Sequence, residues 1–130
     1  MKIAACILAL ALTLAVTVAN AADWSVVTPA RDEAVYFDRA SVHQSGSVKE
    51  AWVLHSYHQT QTLGDAFAHK SKLILYAFRC DLRQAGYSQW TFKSGELGSG
   101  STVWASHAAA ISFFPADNDP AIAGVMARIC

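Results

Sequence analysis

Beyond residue 22 apolar residues recur mostly at every second position, and a period of two predicts strands rather than helices. In Val48–Tyr57, Trp52 and Leu54 fall on one side, while Val53, His55 and Tyr57 fall on the other. Ser71–Leu82 (SKLILYAFRCDL) is apolar on both sides, with Leu73, Leu75, Ala77 and Arg79 set against Ile74, Tyr76, Phe78 and Cys80. Such a run belongs in the middle of a sheet, and the face carrying Cys80 is the one a helix should cover. Trp24–Val27 and Val35–Phe37 predict two further strands, separated by Pro29 and the charged turn Arg31-Asp32-Glu33. In Tyr87–Lys93, Tyr87, Gln89 and Thr91 alternate with Ser88, Trp90 and Phe92. The glycine-rich Ser94–Ser101 then leads to a last strand at Thr102–Ser106.

The period lengthens only near the end. Ile122, Val125, Met126 and Ile129 fall at helical spacing, Pro120 suits a first helical position, and Asn118 or Asp119 can cap. His58–Asp65 (HQTQTLGD) is polar and reads as a mobile loop. Ala108–Phe114 reads as an extended or irregular connector. The expected class is α+β, an antiparallel sheet of about six strands with a C-terminal helix packed on one face.

The first residues differ in kind. Lys2 precedes an apolar run, Ile3–Val18, and Ala19-Asn20-Ala21 supplies a small-x-small cleavage site, the pattern of a secretory signal peptide over residues 1–21. The run is about 16 residues, short of the roughly 20 that span a bilayer. Cys6 stands at the start of the run rather than after it, so it leaves with the leader and marks no lipidation site. Residues 22–130 then form one small domain with no membrane insertion after cleavage. The expected location is the periplasm or the bacterial cell surface.

Of three cysteines, Cys80 and Cys130 remain in the mature chain. In an exported protein such a pair is expected to be oxidised, and closing a loop of about 50 residues stabilises by roughly 4 kcal/mol. Two free thiols or an intermolecular bridge are the other arrangements. Without Lys2 the ten Lys and Arg fall to nine against ten Asp and Glu, a net charge of about −1. The basic residues do not cluster, which argues against nucleic acid or an anionic membrane as partner.

Candidate chemistry is sparse. His55 and His58 form H-x-x-H, but residues three apart on a strand point to opposite faces, so no metal site is expected. Asp38, Ser41 and His43 hold a carboxylate, a hydroxyl and an imidazole close together in sequence. Triads draw their members from separate elements, so Asp38 reads as a turn cap and no catalytic residues are expected. Gly95, Gly98 and Gly100 lack the lysine and the helix of a phosphate loop, and no cofactor is expected. Tyr57, Tyr87 and Trp90 are aromatic candidates for a recognition surface or for the core.

Taken in order, Trp24–Val27, Tyr36-Phe37-Asp38 with Ser41-Val42, Val48–Trp52, Ser71-Lys72 before the strand with Cys80, Tyr87 onward to a hairpin glycine, Pro115, and Ile129-Cys130 resemble the surface-adhesin protein E family of bacterial exported proteins. The resemblance implies a sheet of about six antiparallel strands, a C-terminal helix tethered by Cys80–Cys130, and adhesion to host extracellular-matrix or serum proteins. The chain departs from the family in having no cysteine after its leader, and in Phe113-Phe114-Pro115-Ala116 where members often carry a tryptophan and Pro-Gly-Ser. The expected function is that of a non-enzymatic exported binding module with a protein ligand. The alternative is a soluble periplasmic protein of envelope maintenance or stress. An unpaired edge strand would support a homodimer.

Overall fold

The computed structural model describes residues 21–29, 32–64 and 67–130. The leader read over residues 1–21 lies outside them except for Ala21, as do Arg31 and Asp65. Among the described residues the strands are β1 (Trp24–Pro29), β2 (Glu33–Asp38), β3 (His43–Ser45), β4 (Val48–Leu63), β5 (Phe67–Arg79), β6 (Gln84–Lys93), β7 (Thr102–His107) and β8 (Phe113–Pro115), followed by helix α1 (Pro120–Ile129). All pairings are antiparallel. The main path runs β1-β2-β4-β5-β6-β7, the six expected strands, with β3 added beside β4 and β8 beside β6.

The alternation read in Val48–Tyr57 and Ser71–Leu82 holds in the register. Val53 pairs with Ile74 and Ala51 with Tyr76 on one face, while Trp52 pairs with Leu75 and Leu54 with Leu73 on the other. The first face carries the core: Val35, Phe37, Ala51, Val53, Ile74, Tyr76 and Phe78 pack against Ile122, Val125, Met126 and Ile129 of α1. Burying each large apolar side chain stabilises by roughly 1.5–3 kcal/mol.

Both ends of α1 are satisfied. Asp119 accepts from the amides of Ala121 (3.1 Å) and Ile122 (3.4 Å), with Pro120 in the first turn. At the other end the Lys49 ammonium donates to the Ile129 carbonyl at 2.6 Å, satisfying a terminal acceptor and opposing the helix dipole. Cys80, one residue past β5, is bonded to Cys130 with Cα atoms 5.6 Å apart. The cap, the strand lysine and the disulfide hold α1 on the sheet.

Three expectations are corrected. His58–Leu63 is not a loop but the far end of β4, and β5 begins at Phe67, four residues before Ser71; Gln61 pairs with His69 and Leu63 with Phe67. Polar residues suit this stretch because it projects beyond the core, where both faces meet water. The register shifts between Ser56 and Gln61, leaving Tyr57–Thr60 opposite Lys70 alone. Tyr87 and Trp90 do not fall on opposite faces. Leu75 pairs with Gln89 but Tyr76 pairs with Tyr87, so Ser88 is an extra residue in a β-bulge, and a bulge reverses the alternation beyond it. The three-residue β3 was not expected; it forms a hairpin with β4 through Gly46, whose φ of 62° suits the tight turn.

Candidate binding surface

The residues first suspected of chemistry stand apart. The Asp38 carboxylate accepts from the amides of Asp23 (2.7 Å) and Ala40 (3.0 Å), as a turn cap does. The Ser41 hydroxyl donates to the Asp38 carbonyl at 2.7 Å and accepts from the Trp52 amide at 3.0 Å. His43 approaches the Ser41 carbonyl, not its hydroxyl, and pairs with Glu50 at 3.4 Å. His55 and His58 diverge: His55 is buried on the helix-bearing face, while His58 meets Glu96 at 3.1 Å in the loop over the other face. Among the described residues no three His, Cys, Asp or Glu side chains gather into a metal-sized site.

A polar chain that sequence spacing did not reveal runs through the helix-bearing face. His55 Nδ1 lies 2.7 Å from the Glu33 carboxylate and Nε2 lies 3.1 Å from the Tyr76 hydroxyl. In the neutral tautomer that fits both, Nδ1–H donates to Glu33 and Nε2 accepts from Tyr76. Burial, with nearby negative charge, pushes the Tyr76 and Tyr57 hydroxyls up, so both stay protonated. The hydrogen bond from His55 holds the Glu33 carboxyl below its usual value, with Lys72 helping and burial opposing. A depressed carboxyl adds stability above its unfolded pKa and loses it as pH falls through its folded one. Glu33→Gln should therefore give a shallower loss of stability below about pH 4.3 in acid-dependent urea melts. The difference should be only about 0.5 kcal/mol, because the carboxylate is 39% exposed and water screens it.

The larger feature is the face of the sheet that α1 leaves open. The register lays two apolar rows across it: Val26, Tyr36, Leu54 and Leu73 in one, Trp24, Trp52 and Leu75 in the next, interrupted by Asp38. Leu54 and Leu75 are buried, but Trp24 and Val26 at the edge are exposed. Trp24, Tyr36, Leu54 and Leu97 line a shallow hollow of about 260 Å³.

Leu97 reaches this face from the β6–β7 loop, which two serines of the sheet fasten down. Ser71 donates to the Gly95 carbonyl at 2.6 Å and accepts from the Gly98 amide at 2.9 Å, and Ser56 accepts from the Leu97 amide at 2.9 Å. Leu97 is left-handed, with φ 54° and ψ 36°, and the residue is 60% exposed. That conformation costs a non-glycine residue roughly 1–2 kcal/mol. Backbone outliers of this kind cluster at functional sites, ligand clamps among them.

The aromatic candidates fall elsewhere. Tyr87 and Trp90 lie on the helix-bearing face with Tyr76 and Ile74, their strand partners, and Tyr57 follows His55 on that side. Trp24, Tyr36 and Leu97, which line the open hollow, were not singled out in the sequence. One signal for Leu97 was present, a lone leucine among the glycines and serines of Ser94–Ser101.

No curated protein sequence matches the chain significantly. Two solved structures of Haemophilus influenzae protein E share the fold. One, a second crystal form, aligns with a TM-score of 0.56 at 11% identity, over 74% of this chain and 79% of its own. The other aligns with a TM-score of 0.53 at 11% identity, over 74% and 76%. The family model for surface-adhesin protein E matches residues 24–130, from the first residue of β1 through Cys130. The chain therefore belongs to the surface-adhesin protein E family.

Proposed function

We propose that this chain is a non-enzymatic binding module that holds host extracellular-matrix or serum proteins on its open sheet face. Members of its family are exported, and the chain is a protein of the periplasm or the bacterial cell surface. Loss of residues 1–21 on export would leave the family-matched region as the working protein. The observation that carries the reading is the apolar strip of Trp24, Val26, Tyr36 and Leu97 on the face opposite α1. Contiguous exposed apolar surface of this kind marks interaction sites, and tryptophans and tyrosines dominate their energetics. A second copy would pair along the free edge of β7, Thr102–His107, which carries no Lys, Arg, Asp, Glu or Pro to guard it.

The test is interferometry of the mature protein against a panel of matrix and serum proteins. Trp24→Ala should weaken any captured ligand about tenfold or more, as loss of an aromatic anchor does. Leu97→Gly should behave unusually: relief of the left-handed strain raises stability by about 1 kcal/mol while binding falls. Equal binding by wild type and both variants would reject the open face as the site. Surface labelling of intact cells separates this reading from a periplasmic maintenance role, since protein found only in the periplasmic extract would exclude adhesion.

A further inference from the structure

The helix-bearing face has an uncovered part of its own. A helix of ten residues reaches only about 15 Å, and the core cluster its stripe joins is drawn mainly from β2, β4 and β5. Toward β7 the same face is open. There Ile74, Tyr87, Trp90, Phe92 and Trp104 wall a hollow of about 220 Å³, with Lys72 at its side. The Ser88 bulge creates it, because only the shifted register sets Tyr87 and Trp90 on one face. The walls are braced: Trp104 stacks on Phe92 at 5.5 Å and on Phe67 at 5.3 Å, and meets Trp90 edge-on at 6.0 Å.

Two polar side chains stand at the hollow, Trp90 and Lys72. The indole N–H of Trp90 is shielded from solvent and has no acceptor among the described residues, an uncommon state for a buried donor. The Lys72 ammonium lies 5.9 Å from the centre of the Tyr57 ring. Burial pushes Lys72 down from the usual lysine value against the pull of Glu33 and Asp119. Those carboxylates are engaged elsewhere, Glu33 by His55 and Asp119 by the first amides of α1. The hollow thus sets a cation beside aromatic walls, and what complements it is an anionic group on an apolar body.

We propose that this hollow binds a small monoanionic amphiphile, a single carboxylate on an unbranched chain or one ring, with its head on Lys72 and its body against Trp90, Phe92 and Trp104. At about 30 Å³ for a water-sized group, the space encloses roughly seven heavy atoms, and a longer chain extends from its open mouth. The site lies on the opposite face from the proposed protein-binding strip and does not depend on it.

The probes are octanoate and the uncharged 1-octanol, titrated calorimetrically into the mature protein, with the Trp90 indole proton followed by NMR. Octanoate should bind at least tenfold more tightly than octanol and shift the Trp90 resonance. Lys72→Met, which keeps the length of the side chain without its charge, should reduce the preference to about one, and Lys72→Arg should retain it. Leu97→Gly should leave it unchanged. Equal affinities in the wild type, an unaltered preference in Lys72→Met, or no binding of either probe would overturn the proposal. Should Lys72→Met fail to fold, the wild-type preference and its retention in Lys72→Arg decide the matter.

Discussion

Replacing either Cys80 or Cys130 by serine should cost about 4 kcal/mol, and replacing both should cost little more than replacing one. The bond closes a sequence separation of 50 residues, and the entropy restored to the unfolded chain when it is lost amounts to about 4 kcal/mol. That is a large part of the 5–15 kcal/mol a typical domain possesses. The native state loses something as well. The bond fixes the last turn of α1 beside the end of β5, adding to the Lys49–Ile129 hydrogen bond and to the packing of Met126 and Ile129 in the core. Urea melts of the two single variants and the double variant should give nearly equal midpoints, since all three lack the same bond. Their thermal midpoints should fall by roughly 15–30 °C, at about 4–8 °C per kcal/mol. Wild-type protein melted with a thiol reductant should match them. A double variant as stable as the wild type would show that the helix needs no tether.

The second large effect is expected at Gly86. This residue of β6 pairs with Ala77 on one side and Phe113 on the other, and the segment leading into β8 presses against it. A β-carbon there would stand 2.5 Å from Ile111 Cγ2 and 2.7 Å from the Ser112 carbonyl oxygen. The isoleucine can turn aside, but a backbone carbonyl moves only if β8 moves. Gly86→Ala should therefore destabilise by about 2–3 kcal/mol, the upper part of the range for overpacking. Adding Ile111→Ala should recover only part of the loss, because the carbonyl contact remains. The cycle is measured by urea melts of both singles and the double. Full recovery would mean that the side chain alone sets the close approach.

The sequence revealed what strict periodicity controls. Trp52 and Leu54 against Val53 and His55, the stripe of Ile122, Val125, Met126 and Ile129, and the capping pair Asp119-Pro120 each follow from local spacing, and the structure keeps them. What stayed hidden depends on partners distant in sequence. The extra residue at Ser88 is defined only against β5, and no rule within Tyr87–Lys93 says where a strand will bulge. The polar run His58–Thr62 resembles a loop because nothing in it is apolar enough to demand a sheet, yet Phe67–His69 pairs with its far end and with Leu63. For Tyr36 and Phe37 the period says that one faces each way. Which of them meets water is settled by α1, more than eighty residues later. The left-handed turn at Leu97 is imposed by Ser56 and Ser71, from strands far earlier in the chain.

That order of elements also bears on when the protein can fold. All eight described strands precede the helix that covers their core face, so Val53, Ile74, Tyr76 and Phe78 have no cover until the final stretch has been made. A chain leaving the cytoplasm from its N-terminus emerges with this face bare, and the contacts that would bury it span most of the sequence. Such long-range closure is slow. The docking of α1 is thus the step that closes the core, and it comes from the last stretch of the chain to be made.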